Sequence, residues 1–185
     1  MNNKDLKKFY SGISMEPFYK RVKTKTLCHR YNNIAPNLLD KRYSLMKRIL
    51  GKTKSLFIIE QPFMCDYGNN IKIGEYFYSH HNLLILDYAP VTFGDNVLVG
   101  PNCSFYTPIH PLESELRKQG FIGALPITVG NNVWFGGNVT VLPGVTIGDN
   151  CVIGAGSVVK KSLPANTLAY GNPCRIIKQL EPVCD

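Results

Sequence analysis

The sequence predicts a mainly β fold in which the chain winds into stacked three-sided coils. A helical segment precedes the coils and one long loop protrudes from them. Three observations lead to this prediction: a six-residue repeat, helical spacing of apolar residues before it, and a proline-rich break within it. The 185 residues are enough for one domain with a sizeable core. With 44% hydrophobic and 18% charged residues, the composition excludes a disordered chain.

The first element is a predicted helical segment, residues 1–54. Apolar residues three and four positions apart predict a helix over residues 36–50, with Pro36 in its first turn and Gly51 as a stop. A further helix is predicted over residues 16–32. Helices this short are not stable alone, so we expect them to pack on the rest of the chain.

The second element is the six-residue repeat, residues 55–170. Six units follow one another without a gap over residues 129–164, and further units occupy residues 73–90 and 93–104. The first position is always apolar, the fifth is small or aliphatic, and Gly, Asn and Asp crowd the second to fourth. A short strand followed by a corner fits this period, because Gly and Asn tolerate positive φ. Three units make one triangular coil, and stacked coils share a core.

The repeat is interrupted by a loop excursion, residues 107–127, and is followed by a tail, residues 171–185. Long irregular loops are commonly functional. This one contains His110, whose backbone is restricted by the following Pro111. An imidazole titrates near neutral pH and can act as a general base. An exposed loop histidine without a role is the alternative interpretation.

Charge and cysteine usage narrow the class of protein further. Residues 1–54 carry 14 Lys and Arg against three acidic residues, whereas residues 55–185 carry 7 against 10. We interpret the basic excess as a solvated helical face, with attraction of an anionic substrate or cofactor as the alternative. Nucleic-acid binding is disfavoured because no recognised motif accompanies the charge. There is no apolar run of membrane-spanning length and no signal-peptide pattern at the start. The six cysteines form no CxxC pair, which predicts a reduced, cytoplasmic protein.

The chain resembles the maltose and galactoside O-acetyltransferases, a group within the hexapeptide-repeat acyltransferases. The resemblance runs from about residue 4 to residue 180, and it is carried by HRYN, CDYG, IHP followed by ELRKQG, IGDNCVIGAGSVV and GNPCRIIK. It implies a left-handed parallel β-helix, a homotrimer with sites between subunits, and acetyl-CoA as the donor, with no required metal.

The resemblance also implies roles for individual residues. His110 matches the catalytic histidine, which takes the hydroxyl proton in a direct transfer without an acetyl-enzyme. Acceptor contacts are implied for Arg21, Asp66, Tyr78, His80 and Asp87. Contacts to the coenzyme are implied for Trp134, Gly137 and Ala155, with the Gly137 amide also a candidate to stabilise the oxyanion. A basic cluster near the C-terminus suits the coenzyme phosphates, with ordinary solvated surface charges as the alternative interpretation: Lys160, Lys161, Arg175 and Lys178.

Three positions depart from the family pattern. His80 stands where the family commonly has asparagine, so its role stays open between a donor to the thioester carbonyl, a donor to the acceptor, and no role. Gly12 replaces an acidic sugar-binding residue, and Tyr88 replaces an aspartate of the galactoside enzymes. The last two departures argue against a simple galactoside acceptor.

Other functions remain as alternatives on the same scaffold. One is a xenobiotic acceptor of the chloramphenicol type. A second is a zinc-dependent, carbonic-anhydrase-like β-helix, which needs three well-placed imidazoles. Against it, adjacent His80 and His81 are expected on opposite sides of a strand, and His110 has no partner nearby in sequence. A third is a non-catalytic scaffold, which predicts a degraded loop and no donor site.

Overall fold

A computed structural model describes residues 9–10 and 15–181 of the chain. The chain forms a parallel β-solenoid of about six coils, with two helices at its base. Each complete coil passes once through three parallel sheets, which are the walls of a triangular prism. The predicted mainly β fold of stacked three-sided coils is confirmed.

The three walls are numbered in the order in which the chain enters them. Wall 1 contains β2 (Lys52–Thr53), β5 (Ile71–Ile73), β8 (Val91–Phe93), β13 (Ile127–Val129) and β16 (Thr146–Ile147). Wall 2 contains β3 (Phe57–Ile59), β6 (Phe77–Ser79), β9 (Leu98–Val99), β14 (Trp134–Phe135), β17 (Val152–Ile153), β19 (Thr167–Tyr170) and the antiparallel β20 (Arg175–Gln179). Wall 3 contains β4 (Phe63–Cys65), β7 (Leu83–Leu86), β10 (Ser104–Tyr106), β15 (Thr140–Val141) and β18 (Val158–Val159).

The core lies along the axis of the prism. The first and fifth positions of the repeat point inward and are buried, as predicted; Phe135 and Val139 illustrate the two positions. Four phenylalanine rings from coils 2 to 4 pack edge to face, with the centroids of neighbouring rings 5.0–5.3 Å apart: Phe77, Phe93, Phe105 and Phe135. Edge-to-face aromatic packing of this kind stabilises the core beyond the burial of apolar area.

Coils 1 to 6 comprise residues 52–70, 71–90, 91–126, 127–145, 146–162 and 163–170.

Corners join the walls, and two of these corners contain predicted site residues. The glycine corner, between walls 2 and 3, comprises residues 80–82, 100–102, 136–138 and 154–156. The loop corner, between walls 3 and 1, comprises residues 66–70, 87–90, 107–126, 142–145 and 160–162. Positive φ angles occur in the glycine corner at Asn82, Asn102, Asn138 and Gly156, as the Gly and Asn pattern predicts.

The helices α1 (Met15–Asn32) and α2 (Leu39–Ile49) cover the base of the solenoid. The buried Tyr31 hydroxyl donates to the Ile59 carbonyl, and the buried Arg42 donates to Glu60 over 2.8 Å. The predicted start of the second helix at residue 36 is wrong, because residues 33–38 form turns instead. None of the helices in the described residues is long and apolar enough to cross a membrane.

The loop excursion has structure of its own. It contains β11 (Pro108–Ile109), the short helix α3 (Ser114–Lys118) and β12 (Ile122–Ala124). The strands β11 and β12 pair antiparallel, and β1 (Phe9–Tyr10) pairs with the other edge of β12. The loop therefore forms a small three-stranded sheet that stands out from the loop corner.

Candidate functional site

Two carboxylates lie one coil apart in the loop corner, Asp66 in coil 1 and Asp87 in coil 2. The side chain of Asp87 is fully buried, and its Oδ1 accepts the backbone N–H groups of Asp66 (3.0 Å) and Tyr67 (2.8 Å). These bonds hold the turn that follows β4. The Oδ2 atom of Asp87 is also buried, and it has no hydrogen-bond partner among the described residues. It is therefore an unsatisfied buried acceptor, closed off from the surface.

Burial controls the ionisation of both carboxyl groups. It raises the pKa of Asp87 to about 6, against the opposing effect of the backbone N–H groups that the carboxylate accepts. Burial also raises the pKa of Asp66, while the nearby charges of Arg21 and Lys25 oppose that shift. Both carboxyl groups therefore lose their protons less readily than exposed carboxyl groups do.

An aromatic pair, Tyr67 and Tyr88, adjoins these carboxylates. Their rings meet edge to face with centroids 5.1 Å apart, and the guanidinium of Arg21 lies 5.5 Å from the centroid of the Tyr88 ring. The Nε atom of Arg21 is buried without a partner among the described residues. Burial raises the pKa of Tyr67 to about 12, so its hydroxyl stays protonated. Sequence analysis did not single out Tyr67, although it directly follows Asp66 in the CDYG element.

The base of the loop is anchored by Thr107, which is buried. Its hydroxyl donates to the Leu86 carbonyl (2.7 Å) and accepts the Ala89 N–H (3.0 Å). Sequence analysis also missed this residue, because an isolated threonine before a loop gives no signal of its own. His110 follows β11 and is exposed, and its ring has no hydrogen-bond partner in the described part of the chain. Thr107 thus fixes the start of the segment that carries His110.

The glycine corner contains the predicted contacts to the pantetheine arm, Gly137 and Ala155. Successive coils stack closely here: Asn138 N–H donates to Pro101, and Gly156 N–H donates to Gly137. The N–H of Gly137 itself has no partner in the described residues, so it is available to a ligand. The corner presents main-chain groups more than side chains.

An apolar row on the outer face of wall 2 leads to this corner. Tyr78, Leu98, Trp134 and Val152 are neighbours in the strand register of consecutive coils. Trp134 is 54% exposed. The structure thus places Tyr78 with Trp134, and not with Asp66 and Asp87.

His80 and His81 lie at the start of the glycine corner in coil 2. The backbone N–H of His81 donates to Nδ1 of His80 over 3.0 Å, and the two ring centroids are 4.3 Å apart. The expectation that the rings point to opposite sides is wrong, because these residues form a corner and not a strand. Among the described residues, no three His, Cys, Asp or Glu side chains are grouped as a metal site.

The basic residues near the C-terminus are divided between two places. Lys160 and Lys161 lie in the loop corner of coil 5, while Arg175 and Lys178 lie on β20 at the edge of wall 2. All four are exposed. The four residues are close together in the sequence, but within one chain they lie in two separate places.

The predicted site residues therefore occupy two corners. The loop corner holds Arg21, Asp66, Asp87, His110, Lys160 and Lys161, whereas the glycine corner and its wall hold Tyr78, His80, Trp134, Gly137 and Ala155. Wall 3 separates the corners; its longest strand has four residues, which span roughly 13 Å at 3.3 Å per residue. Gly12 lies outside the described residues.

Comparison with known proteins relates this arrangement to enzymes. The bacterial transferase hexapeptide model matches residues 126–161, and the maltose acetyltransferase hexapeptide capping motif matches residues 9–54. The galactoside O-acetyltransferase of Escherichia coli (strain K12) is 47% identical over 161 residues, 87% of this chain and 79% of the relative.

Two solved structures share the whole architecture. A galactoside acetyltransferase in complex with coenzyme A superposes with a TM-score of 0.91 at 42% identity, covering 98% of this chain and 92% of the other. A maltose O-acetyltransferase from Clostridium difficile 630 gives a TM-score of 0.91 at 40% identity, with 98% and 99% covered.

Proposed function

The chain belongs to the maltose and galactoside O-acetyltransferases of the hexapeptide-repeat family, and we propose that it acetylates a hydroxyl of a sugar or similar acceptor with His110 as general base. The protein is an acetyl-CoA-dependent O-acetyltransferase, and its fold is the left-handed parallel β-helix of that family. We further propose the roles of individual residues and an assembly of three copies.

The observation that carries the proposed mechanism is the loop corner, where buried carboxylates and an exposed imidazole lie on neighbouring coils. Asp66 accepts hydrogen bonds from acceptor hydroxyls and Arg21 donates to the acceptor, while the buried Asp87 orients the acceptor site by holding the turn that carries Asp66. His110 takes the proton of the reacting hydroxyl as its oxygen attacks the thioester carbonyl carbon. The imidazolium then protonates the departing thiolate of coenzyme A, so that no acetyl-enzyme forms.

The glycine corner suits the donor. The main-chain groups of Gly137 and Ala155 follow the pantetheine arm, and the exposed ring of Trp134 borders the same groove. The pyrophosphate and 3′-phosphate of the coenzyme are bound by exposed cations: Lys160, Lys161, Arg175 and Lys178.

Both corners are required for one reaction, and this supports a site between copies of the chain. Within one chain the corners are separated by the width of wall 3. A contact in which the glycine corner of one copy faces the loop corner of the next brings donor and acceptor groups together. Such a head-to-tail contact closes a ring when repeated around an axis, and we propose the homotrimer.

The acceptor pocket combines polar and aromatic groups. Its carboxylates suit a polyol, while the Tyr67–Tyr88 pair provides an aromatic surface beside them. This surface favours an acceptor with an apolar face, so an aryl glycoside or an aryl antibiotic such as chloramphenicol belongs beside simple sugars in any test.

We propose the cytoplasm as the compartment. The donor is acetyl-CoA, and the five cysteines among the described residues are free thiols, as a reducing compartment requires.

The test is a thiol-release assay with acetyl-CoA and a panel of hydroxyl acceptors. We expect His110→Ala to lower kcat by roughly 10²–10⁴-fold at unchanged melting temperature, which is the usual contribution of a general base. His29→Ala is the matched control, since His29 is an exposed histidine in the last turn of α1. Full activity of His110→Ala, or ping-pong kinetics with a trapped acetyl-enzyme, would contradict the mechanism.

A further inference from the structure

Two buried thiols face each other beside the loop corner: Cys28 on α1 and Cys65 at the end of β4. Their Sγ atoms are 3.7 Å apart, and both are free thiols. Sulfurs bonded in a disulfide are about 2.05 Å apart, so an approach of roughly 1.7 Å joins them. The buried thiols of Cys103 and Cys151 instead donate to backbone carbonyls over 3.2 and 3.1 Å. The contact with a second thiol therefore distinguishes this pair from those core cysteines.

Hydrogen bonds on both sides of the thiol pair hold α1 against β4. The Thr24 hydroxyl donates to the Tyr67 carbonyl over 3.0 Å. The Asn32 side chain donates to the Phe63 carbonyl over 3.0 Å and accepts the Phe63 N–H over 2.9 Å. The thiols lie between these two contacts along both segments, so the helix cannot slide along the strand without breaking hydrogen bonds.

The spacing of residues on the helix and the strand keeps the two sulfurs opposite each other. Thr24, Cys28 and Asn32 are four residues apart, so they share one face of α1 and rise about 6 Å at each step. Phe63 and Cys65 are two residues apart on β4, which is about 6.6 Å of extended chain. Because the two steps are nearly equal, the contact between Asn32 and Phe63 places Cys28 opposite Cys65.

The two thiols differ in acidity. Their mutual hydrogen bond lowers the pKa of Cys28, against the opposing effect of burial, whereas the same bond and burial raise the pKa of Cys65. The thiolate is the form of cysteine that reacts as a nucleophile with oxidants. Cys28 is therefore the sulfur that reacts first, and Cys65 is the second thiol that can close the bond.

We propose that Cys28 and Cys65 form an oxidative modification site, at which a peroxide joins the two sulfurs as a disulfide and acceptor binding is weakened. The Cys28 thiolate attacks one oxygen of hydrogen peroxide, the O–O bond breaks, and the released hydroxide takes a proton and leaves as water. Cys28 becomes a sulfenic acid. The Cys65 sulfur then attacks the Cys28 sulfur, the S–O bond breaks, and a second water leaves. Overall the two thiols lose two electrons and two protons, and one hydrogen peroxide is reduced to two waters.

Access to the thiols requires local opening, because both side chains are buried. A small oxidant reaches them when α1 moves away from β4, which breaks the contacts of Thr24 and Asn32 and leaves the coils intact. In a reducing compartment a disulfide of this kind is transient, as is usual for redox-sensing cysteines. The free thiols are therefore the expected state of the protein in the absence of oxidant.

The disulfide joins two elements of the proposed acceptor site, so its effect on activity rests on the proposed function. Arg21 lies two turns before Cys28 on the same face of α1, and Asp66 directly follows Cys65. Drawing the sulfurs together displaces α1 relative to the turn that carries Asp66. A displacement of about 1 Å in a positioned group is enough to change binding and rate. Neither element belongs to the glycine corner, so donor binding should not change.

The first measurement detects the disulfide itself and does not depend on activity. We expect the folded protein to lose two hydrogens on treatment with hydrogen peroxide, and peptide mapping by mass spectrometry to show Cys28 joined to Cys65. Dithiothreitol should reverse the change. Cys28→Ala should abolish it, whereas Cys103→Ala should keep it and is the matched control, since Cys103 is a buried thiol bonded to a carbonyl. Oxidation of single thiols without a bond between this pair would overturn the proposal.

The second measurement compares the steady-state kinetics of the reduced and the oxidised protein. We expect oxidation to raise the acceptor KM by about 3- to 10-fold and to leave the KM for acetyl-CoA within about two-fold, because only the acceptor site is displaced. Dithiothreitol should restore the acceptor KM, and Cys28→Ala should not respond to peroxide. An unchanged acceptor KM in fully oxidised protein, or an equal rise for both substrates, would overturn the proposed weakening of acceptor binding.

The proposed function fails separately from this inference. If His110→Ala keeps full activity, the proposed general base is wrong, whatever the mass measurement shows. If His110→Ala is inactive while peroxide leaves Cys28 and Cys65 as thiols, the general base stands and the modification site is wrong.

Discussion

The two corners of the prism present different chemical groups. In the loop corner these groups are side chains: Asp87 is fully buried, its Oδ1 accepts two backbone N–H groups, and its Oδ2 has no partner among the described residues. In the glycine corner, stacked main-chain groups and exposed side chains form the surface. Each corner has polar groups without a partner among the described residues: side-chain atoms of Asp87 and Arg21 at the loop corner, and the backbone N–H of Gly137 in the glycine corner.

This difference explains which part of the enzyme can change its specificity. A groove of main-chain groups follows from the coil geometry itself, so it suits a donor that stays the same. The proposed acceptor pocket in the loop corner depends on a few side chains, so we expect that replacing one of them, such as Tyr88, alters acceptor binding without disturbing the coils. We therefore expect variants of the two corners to differ in their effects.

The largest expected effect comes from combining defects in the two corners. His110→Ala removes the base in the loop corner, and Ala155→Trp fills the glycine corner; each variant alone should be nearly inactive. Randomly mixed trimers should recover about a quarter of wild-type activity, because one contact in four then joins two intact corners. Steady-state rates of co-expressed variants measure this. No recovery would show that each chain holds a complete site, and each variant mixed with itself is the control.

The next prediction concerns how much the buried Asp87 carboxyl group in the loop corner lowers the free energy of unfolding. In Asp87 the folded-state pKa is about 6 against an ordinary 3.8, so the folded protein holds one more proton than the unfolded chain between about pH 4 and pH 6. Stability from this group is therefore highest below about pH 4, falls as the pH rises to about 6, and stays low at pH 7. The shift corresponds to about 3 kcal/mol at most.

Asp87→Asn removes this cost while keeping an oxygen for the N–H groups of Asp66 and Tyr67. We expect the variant to be more stable than the wild type at pH 7 by up to about 3 kcal/mol, with the difference shrinking toward pH 4. Its KM for the acceptor should rise. Urea unfolding at several pH values measures the difference, and a difference independent of pH would contradict the assignment.

The same comparison shows what the sequence can predict. The walls and inward residues such as Phe135 followed from the repeat, because a period of six is a local signal. The partition of site residues between corners did not follow, since it depends on how irregular units and a long loop advance the chain around the prism. This advance decides which wall or corner each residue enters. It therefore decides the contact between His80 and His81 and the separation of Lys160 from Arg175. Thr107 was missed because its role comes from Leu86 and Ala89, about twenty residues away.

A third prediction concerns how closely the glycine corner is packed. A Cβ on Gly136 would lie 2.6 Å from the backbone nitrogen of Ala155, whereas a Cβ on Gly137 would lie 3.3 Å from the Pro101 side chain. We expect Gly136→Ala to lower the free energy of unfolding by about 1–3 kcal/mol, as overpacking does. Gly137→Ala should change it much less. Thermal unfolding of the two variants measures the difference. Equal losses of stability would show that the backbone of the corner can shift to make room for a Cβ atom.

The smallest effect should come from the exposed cations of the donor site. Arg175 on β20 is exposed, so a contact with the coenzyme phosphates, as proposed, would be screened by solvent and its removal should cost little binding energy. We expect Arg175→Ala to raise the KM for acetyl-CoA about two- to five-fold, with kcat unchanged, and the difference from wild type to shrink as salt increases. Lys72→Ala is the control, because Lys72 is an exposed cation on wall 1, away from both corners. If both variants raise the KM equally, the donor responds to overall charge and not to a phosphate contact at Arg175.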